Sequence, residues 1–177
     1  MMTIETVVVG ELDTNCYVLK RDNFCIVIDP GDDYEKIKNV IGNCKLLGVI
    51  ITHYHFDHIG ALKMIKNDYH VKIYDYSNLV DGYNKIGTFE FEKISTPGHK
   101  DDLIAIYFKE ENILFCGDFI FKGGIGRYDF PDSSFEDMKK SIKKILSYPY
   151  DMIIFPGHGP KTDLQSEEDI LNYYLDL

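Results

Sequence analysis

Residues 51–62 read Ile51-Thr52-His53-Tyr54-His55-Phe56-Asp57-His58-Ile59-Gly60-Ala61-Leu62. His53, His55, Asp57 and His58 crowd into one short turn between two patterned segments. The preceding run, LLGVIIT, is apolar and rich in β-branched residues, as in a strand covered on both faces. The following segment, HIGALKMIKN, places Ile59, Leu62 and Ile65 at helical spacing. The turn therefore lies at the end of a buried strand, where α/β proteins commonly build sites.

Working outward, three more apolar runs end in the same way. KIST-Pro97-Gly98 leads into His99, ILFCG into Asp118, and MIIF-Pro156-Gly157 into His158. The chain holds 6 histidines, and only His70 falls outside these strand ends. Imidazole and carboxylate suit divalent zinc, iron and manganese, and no cysteine joins the set to suggest a closed structural zinc site. His53 and His55, two apart on an extended segment, can point the same way and share one ion. Asp57 and His58, one turn further, face a neighbouring position. Seven candidate ligands, His53, His55, Asp57, His58, His99, Asp118 and His158, exceed what one tetrahedral ion accepts. They suffice for two ions if one carboxylate bridges. Two such ions can hold a hydroxide between them and polarise a carbonyl.

The rest of the chain supplies an alternating framework. TIETVVV, NCYVLK and FCIVIDPG read as strands, and residues 33–43 as a helix with Tyr34, Ile37, Val40 and Ile41 on one face. VKIYDY, GTFEFEKIST, LIAIYFK and NILFCGD are further strands, the last two forming a hairpin across residues 110–112. Residues 132–147 make an amphipathic helix, with Asp132 or Ser133 as the expected cap and Glu136 at capping-box distance. DMIIFPG is a final strand and SEEDILNYYLDL a final helix. The 177 residues fit one domain. With 19 basic against 29 acidic residues, the net charge of −10 argues against nucleic-acid or anionic-membrane partners. It leaves a small anionic substrate open, because bound cations reverse the local field. No run is long enough to span a bilayer, and the N-terminal segment lacks the features of a signal peptide, so a cytoplasmic location is expected. The 4 cysteines have no CxxC spacing and are expected to be reduced, packed thiols. The oligomeric state is not legible.

The segment Thr52-His53-Tyr54-His55-Phe56-Asp57-His58 resembles the THxHxDH signature of the metallo-β-lactamase superfamily, and the likeness runs along nearly the whole chain. The resemblance implies a four-layer αββα sandwich with mixed sheets, spanning residues 1–177 as a single domain. It also implies His53, His55 and His99 on a first metal, Asp57, His58 and His158 on a second, and Asp118 bridging them. Zinc is the first expectation for the two ions, with iron or manganese also suited. Thr96-Pro97-Gly98-His99, Gly117-Asp118, Gly126-Arg127-Tyr128-Asp129-Phe130 and Phe155-Pro156-Gly157-His158-Gly159-Pro160 resemble the short bacterial branch of glyoxalase II-like hydrolases. That likeness implies hydrolysis of hydroxyacyl thioesters by a metal-bridging hydroxide, with Asp57 as a catalytic residue and Arg127 as a candidate clamp for a substrate carboxylate. An ion pair holding the glycine-rich loop is the other reading of Arg127. Iron-dependent persulfide dioxygenases share the GRxDF-type stretch, so a redox activity is the alternative, with lactone or phosphoester hydrolysis behind it. Two departures stand out. Lys100 replaces the small polar residue that usually follows His99, so a different support for His99 is expected. The helical C-terminal domain that binds glutathione in full-length glyoxalase II has no counterpart after His158, so recognition by that route is not expected.

Overall fold

A computed structural model describes residues 1–177. Its first half is one sheet with helices on its outer face. Strands β1 (Thr3–Val9), β2 (Thr14–Arg21) and β3 (Phe24–Ile28) form an antiparallel meander. Helix α1 (Tyr34–Ile41) crosses back so that β4 (Lys45–Ile50) lies parallel to β3. The helices α2 (Phe56–Ile59) and α3 (Leu62–Tyr69) then lead to β5 (Lys72–Tyr74), parallel to β4 at the sheet edge.

The second half builds a six-stranded sheet. In chain order it contributes β6 (Gly82–Ile86), β7 (Phe89–Ser95), β8 (Ile104–Phe108) and β9 (Ile113–Gly117). A short hairpin follows, β10 (Ile120–Phe121) with β11 (Gly124–Ile125), and then helix α4 (Phe135–Ile145). Strand β12 (Ile153–Pro156), the two-residue β13 (Thr162–Asp163) and helix α5 (Leu164–Asp176) complete the chain. The sheet order is β13-β12-β9-β8-β7-β6, with only β12 and β9 parallel. Both sheets are thus mixed, as expected.

Alternation along the strands sorts side chains into three apolar layers. Tyr17, Leu19, Ile26, Ile28 and Ile50 of the first sheet meet Phe91, Ile106, Phe108 and Phe115 of the second between the sheets. The opposite face of the first sheet packs Val18, Cys25, Val27 and Val49 against Ile37, Ile41 and Ile65 of α1 and α3. The opposite face of the second packs Ala105, Leu114, Cys116 and Ile154 against Met138, Ile142, Ile145 and Leu171 of α4 and α5. Helices therefore cover both outer faces of a two-sheet stack, the αββα order. Each fully buried aliphatic or aromatic side chain contributes about 1.5–3 kcal/mol by leaving water.

Several expectations change in detail. The helical pattern from His58 onward breaks near Gly60 into α2 and α3, because Gly60 packs on the backbone of Gly31 with no room for a Cβ. Helix α4 is capped by Ser134, not by Asp132 or Ser133: the Ser134 hydroxyl accepts from the Asp137 amide at 3.2 Å. Ser133 instead donates to the His99 carbonyl at 2.5 Å. Helix α5 starts two residues ahead of the SEEDIL pattern, at Leu164, because Asp163 accepts from the Ser166 amide at 2.8 Å. Cys16, Cys25 and Cys116 are buried free thiols and Cys44 a half-buried one. No helix is long and apolar enough to cross a membrane.

Candidate metal centre

The ends of β4, β7, β9 and β12 come together at one rim of the sandwich, and all seven predicted side chains meet there. The ligand atoms of His53, His55 and His99 lie within 4.8 Å of one another, as do those of Asp57, His58 and His158. Asp118 sits between the two triads. Its Oδ2 is 3.6 Å from His99 Nε2, 3.9 Å from His53 Nε2 and 3.3 Å from His158 Nε2, and its Oδ1 is 3.3 Å from His58 Nε2.

Which nitrogen each histidine presents is set from behind. The far nitrogen donates to a fixed acceptor, which turns the near one toward the place of a cation. His58 Nδ1 faces Asp29 Oδ2 at 2.9 Å, His99 Nδ1 the Arg127 carbonyl at 2.8 Å, and His158 Nδ1 the Leu12 carbonyl at 2.9 Å. His53 Nδ1 lies 3.1 Å from the Thr52 hydroxyl, which itself donates to Asp29 Oδ2 at 2.5 Å. His55 is reversed: its Nδ1 points inward, 3.0 Å from His99 Nε2. Two imidazole lone pairs that close repel unless a proton or a cation lies between them.

The buried Nε2 atoms of His53 and His58 and the Oδ1 atom of Asp118 have no hydrogen-bond partner. Buried polar atoms are rarely left so, and these three, one from each triad and one from the carboxylate between them, are donors that divalent cations satisfy. The residues present therefore fit two metal ions. The electrostatics divide between the triads. Burial, with His58 alongside, pushes the His53 imidazole well below its ordinary range. Burial acts the same way on His58 and His158, but there the facing carboxylates win: Asp29 and Asp118 push His58 up to about 10, and Asp118 and Asp57 do the same to His158. Asp57 falls to about 2, burial being outweighed by His158, His58 and the Thr14 hydroxyl.

Close packing explains two glycines. A Cβ on Gly157 would lie 2.0 Å from Asp118 Oδ1, and one on Gly126 would lie 1.8 Å from the Asp118 carbonyl. Both positions must stay bare for Asp118 to reach the centre.

Several contributing residues were not singled out in the sequence. Asp29 holds both Thr52 and His58. The Thr14 hydroxyl donates to Asp57 Oδ2 at 2.9 Å. Asn15, buried, donates to the carbonyls of Pro156 and Gly159 at 3.0 and 2.8 Å and so ties the first sheet to the His158 loop. The DPG turn hinted at Asp29; Thr14 and Asn15 carry no local signal. The departure at Lys100 is resolved by geometry. Lys100 turns away to pair with Asp101, Asp102 and Asp132 at 3.1–3.4 Å, and the Arg127 carbonyl supports His99. The Arg127 guanidinium forms a two-pronged pair with Asp129, both bonds 2.9 Å, and lies 4.4 Å above the Phe130 ring. Phe119 is wholly buried, Tyr128 stacks on Phe135, and the Tyr54 hydroxyl donates to Asp75 at 2.6 Å. The metal-facing atoms open onto a pocket of about 400 Å³ that Leu12, Phe56, Phe121, Arg127 and Phe130 also line.

The family model described as the metallo-beta-lactamase superfamily matches residues 9–86 and 81–158. A Bacillus subtilis protein named probable metallo-hydrolase YqgX is 32% identical, over 91% of this chain and 92% of its own. The Haemophilus influenzae hydroxyacylglutathione hydrolase GloC is 31% identical, over 94% and 95%. Among solved structures, BLEG-1 B3 metallo-beta-lactamase superposes with a TM-score of 0.90 at 28% identity, covering 97% of this chain and 99% of that one. TTHA1623 in a di-iron-bound form superposes at 0.85 and 29% identity, covering 93% and 96%.

Proposed function

The chain belongs to the metallo-beta-lactamase superfamily, and from that premise we propose that it is a metal-dependent hydrolase of small thioesters of the hydroxyacyl-thiol type. The observation that carries the reading is the set of unpartnered buried ligating atoms on His53, His58 and Asp118, beside a pocket that Asp118 lines. The thioester assignment draws on the hydrolase GloC, which this chain matches over 95% of its length. In this reading His53, His55 and His99 hold one ion, Asp57, His58 and His158 the other, and Asp118 both. Zinc suits the imidazole and carboxylate donors, as do iron and manganese, and the di-iron form of TTHA1623 favours keeping iron in view.

When bound, such a pair of ions supplies a hydroxide nucleophile at neutral pH and polarises the scissile carbonyl. The protein's own part is positioning. Asp29, Leu12 and Arg127 fix the imidazole rings through Nδ1, and Thr14 fixes Asp57. Asp57, with its carboxyl held ionised near pKa 2, would serve as a hydrogen-bond acceptor for a proton-bearing group in the pocket. A thiolate leaves without a strong general acid, in keeping with a pocket whose rim offers none. Arg127 is proposed to steer an anionic substrate group at one end of the pocket, in competition with Asp129. Residues 1–177 act as one catalytic domain in this account, and the unpaired buried thiols fit a reducing, cytoplasmic setting.

The test is one preparation assayed for metal content and against a panel of thioester, lactone, phosphodiester and β-lactam, with a chelator control. Oxygen uptake with a persulfide is followed in parallel. The β-lactam belongs in the panel because of the BLEG-1 likeness. A chelator-sensitive rate highest on the thioester is the expected result. A rate confined to the β-lactam or to oxygen uptake would replace this reading.

A further inference from the structure

A second cavity of about 330 Å³ adjoins the first, and the two share Leu12, Phe56 and Asp57. The two clefts meet at these three residues and form the two ends of a groove beside Asp57. Its two ends differ in charge. One ends on Arg127, the only guanidinium or ammonium group lining either cavity. The other lies along the β1–β2 hairpin, lined there by Val9, Gly10, Glu11 and Thr14. At that end Glu11 and Asp32 stand exposed with no cation paired to them. The wall between the two ends is apolar. Phe56 is 76% exposed and Leu12 53% exposed, each beside a residue or carbonyl that supports the metal centre.

An aromatic side chain so exposed beside a pocket floor has no packing role in the chain itself, but it can cover an apolar ligand group. Two unpaired carboxylates nearby repel anions, because like charges facing each other across a binding surface disfavour the complex. We infer that this groove selects thioesters that carry negative charge on one arm only: the charged arm lies toward Arg127, and the arm along the hairpin, against Leu12 and Phe56, is uncharged. This rests on the thioester reading above and deepens it by naming the charge pattern of the substrate.

Three compounds test it whichever end of the groove the thiol arm occupies. S-Lactoylglutathione is charged on the thiol arm, S-succinyl-N-acetylcysteamine on the acyl arm, and S-succinylglutathione on both. The doubly charged compound is expected to show kcat/KM at least about tenfold below the better of the other two. In the Glu11→Lys/Asp32→Lys variant that gap should narrow to about threefold, with metal content unchanged. Phe56→Ala should raise KM for the singly charged substrates about fivefold, with a smaller change in kcat and full metal content. The inference is overturned if the native protein accepts the doubly charged compound as well as the others, or if the gap persists in the lysine variant. An unmoved KM in Phe56→Ala removes the apolar wall from it. Absence of any chelator-sensitive rate on all three compounds would instead overturn the thioester reading, and this inference with it.

Discussion

The two halves of the metal centre are built on different physical terms. The first triad, His53, His55 and His99, is all imidazole, and burial keeps His53 uncharged and ready to ligate. The second, Asp57, His58 and His158, is threaded with carboxylates that hold its two imidazoles protonated up to about pH 10. Burial works against the charged form in both; only where Asp29, Asp57 and Asp118 face the rings does it lose. The first half is thus poised for a cation, whereas the second exchanges protons for one. The halves also differ in their anchors. Asp57 is held by Thr14 of its own sheet, whereas the His158 loop depends on Leu12 and Asn15 from the opposite half, so that loop reports on how the two sheets are held together.

The most severe way to break the comparison is to remove what both halves share. Asp118→Ala should abolish loading of both positions and lower kcat/KM by about a thousandfold or more, the scale of losing a principal electrostatic group. Gly157→Ala should come close to this while leaving every ligand in place, since its Cβ would fall 2.0 Å from Asp118 Oδ1. Metal analysis beside circular dichroism would separate this loss from unfolding.

A narrower cut isolates the second half. Thr14→Val keeps the shape but removes the hydroxyl that donates to Asp57, and should reduce affinity at that position by about 10- to 100-fold. The first triad should load as before. Equal loss at both positions in a metal titration would contradict the division between the halves.

The pH dependence sharpens it further. Because His58 and His158 carry protons at neutral pH in the absence of a cation, loading the second position at pH 7 should release about two protons. Calorimetry in buffers of differing ionisation heat reads that number. Second-position affinity should therefore rise with pH, and near pH 5.5 the protein should retain the first ion in preference to the second. The smallest effect belongs to Arg127. Its carbonyl, not its side chain, supports His99, so Arg127→Ala should leave metal content intact and raise KM for an anionic thioester only about threefold.

These contrasts bear on what the sequence revealed. The seven side chains that meet at the rim were legible because each ends an apolar run or sits in one dense turn, and strand ends in this architecture share a rim. The alternation of strand and helix patterns made an α/β domain legible, and the family resemblance supplied the expectation of mixed sheets. Strand β6 was not: GYNKI exposes Tyr83 and has only Ile86 buried, so it lacks an apolar face to read. The two-residue strands β10, β11 and β13 are too short to show a period. The cap of α4 was misplaced because Asp132, Ser133 and Ser134 are all suitable, and only the chain's path past His99 decides among them. The supporting shell was hidden for a different reason. Asp29 reaches His58 across 29 positions, Thr14 reaches Asp57 across 43, and Asn15 reaches Pro156 across 141. No local pattern encodes contacts of that separation; the first two exist only once β2, β3 and β4 are paired, and the third only once the sheets are stacked.

The most direct measurement is a crystal of the metal-loaded protein examined at the absorption edge of the bound element. Two anomalous peaks per chain are predicted, one among His53, His55 and His99 and one among Asp57, His58 and His158, with Asp118 touching both. A single peak, or a second ion held without His158, would contradict the account.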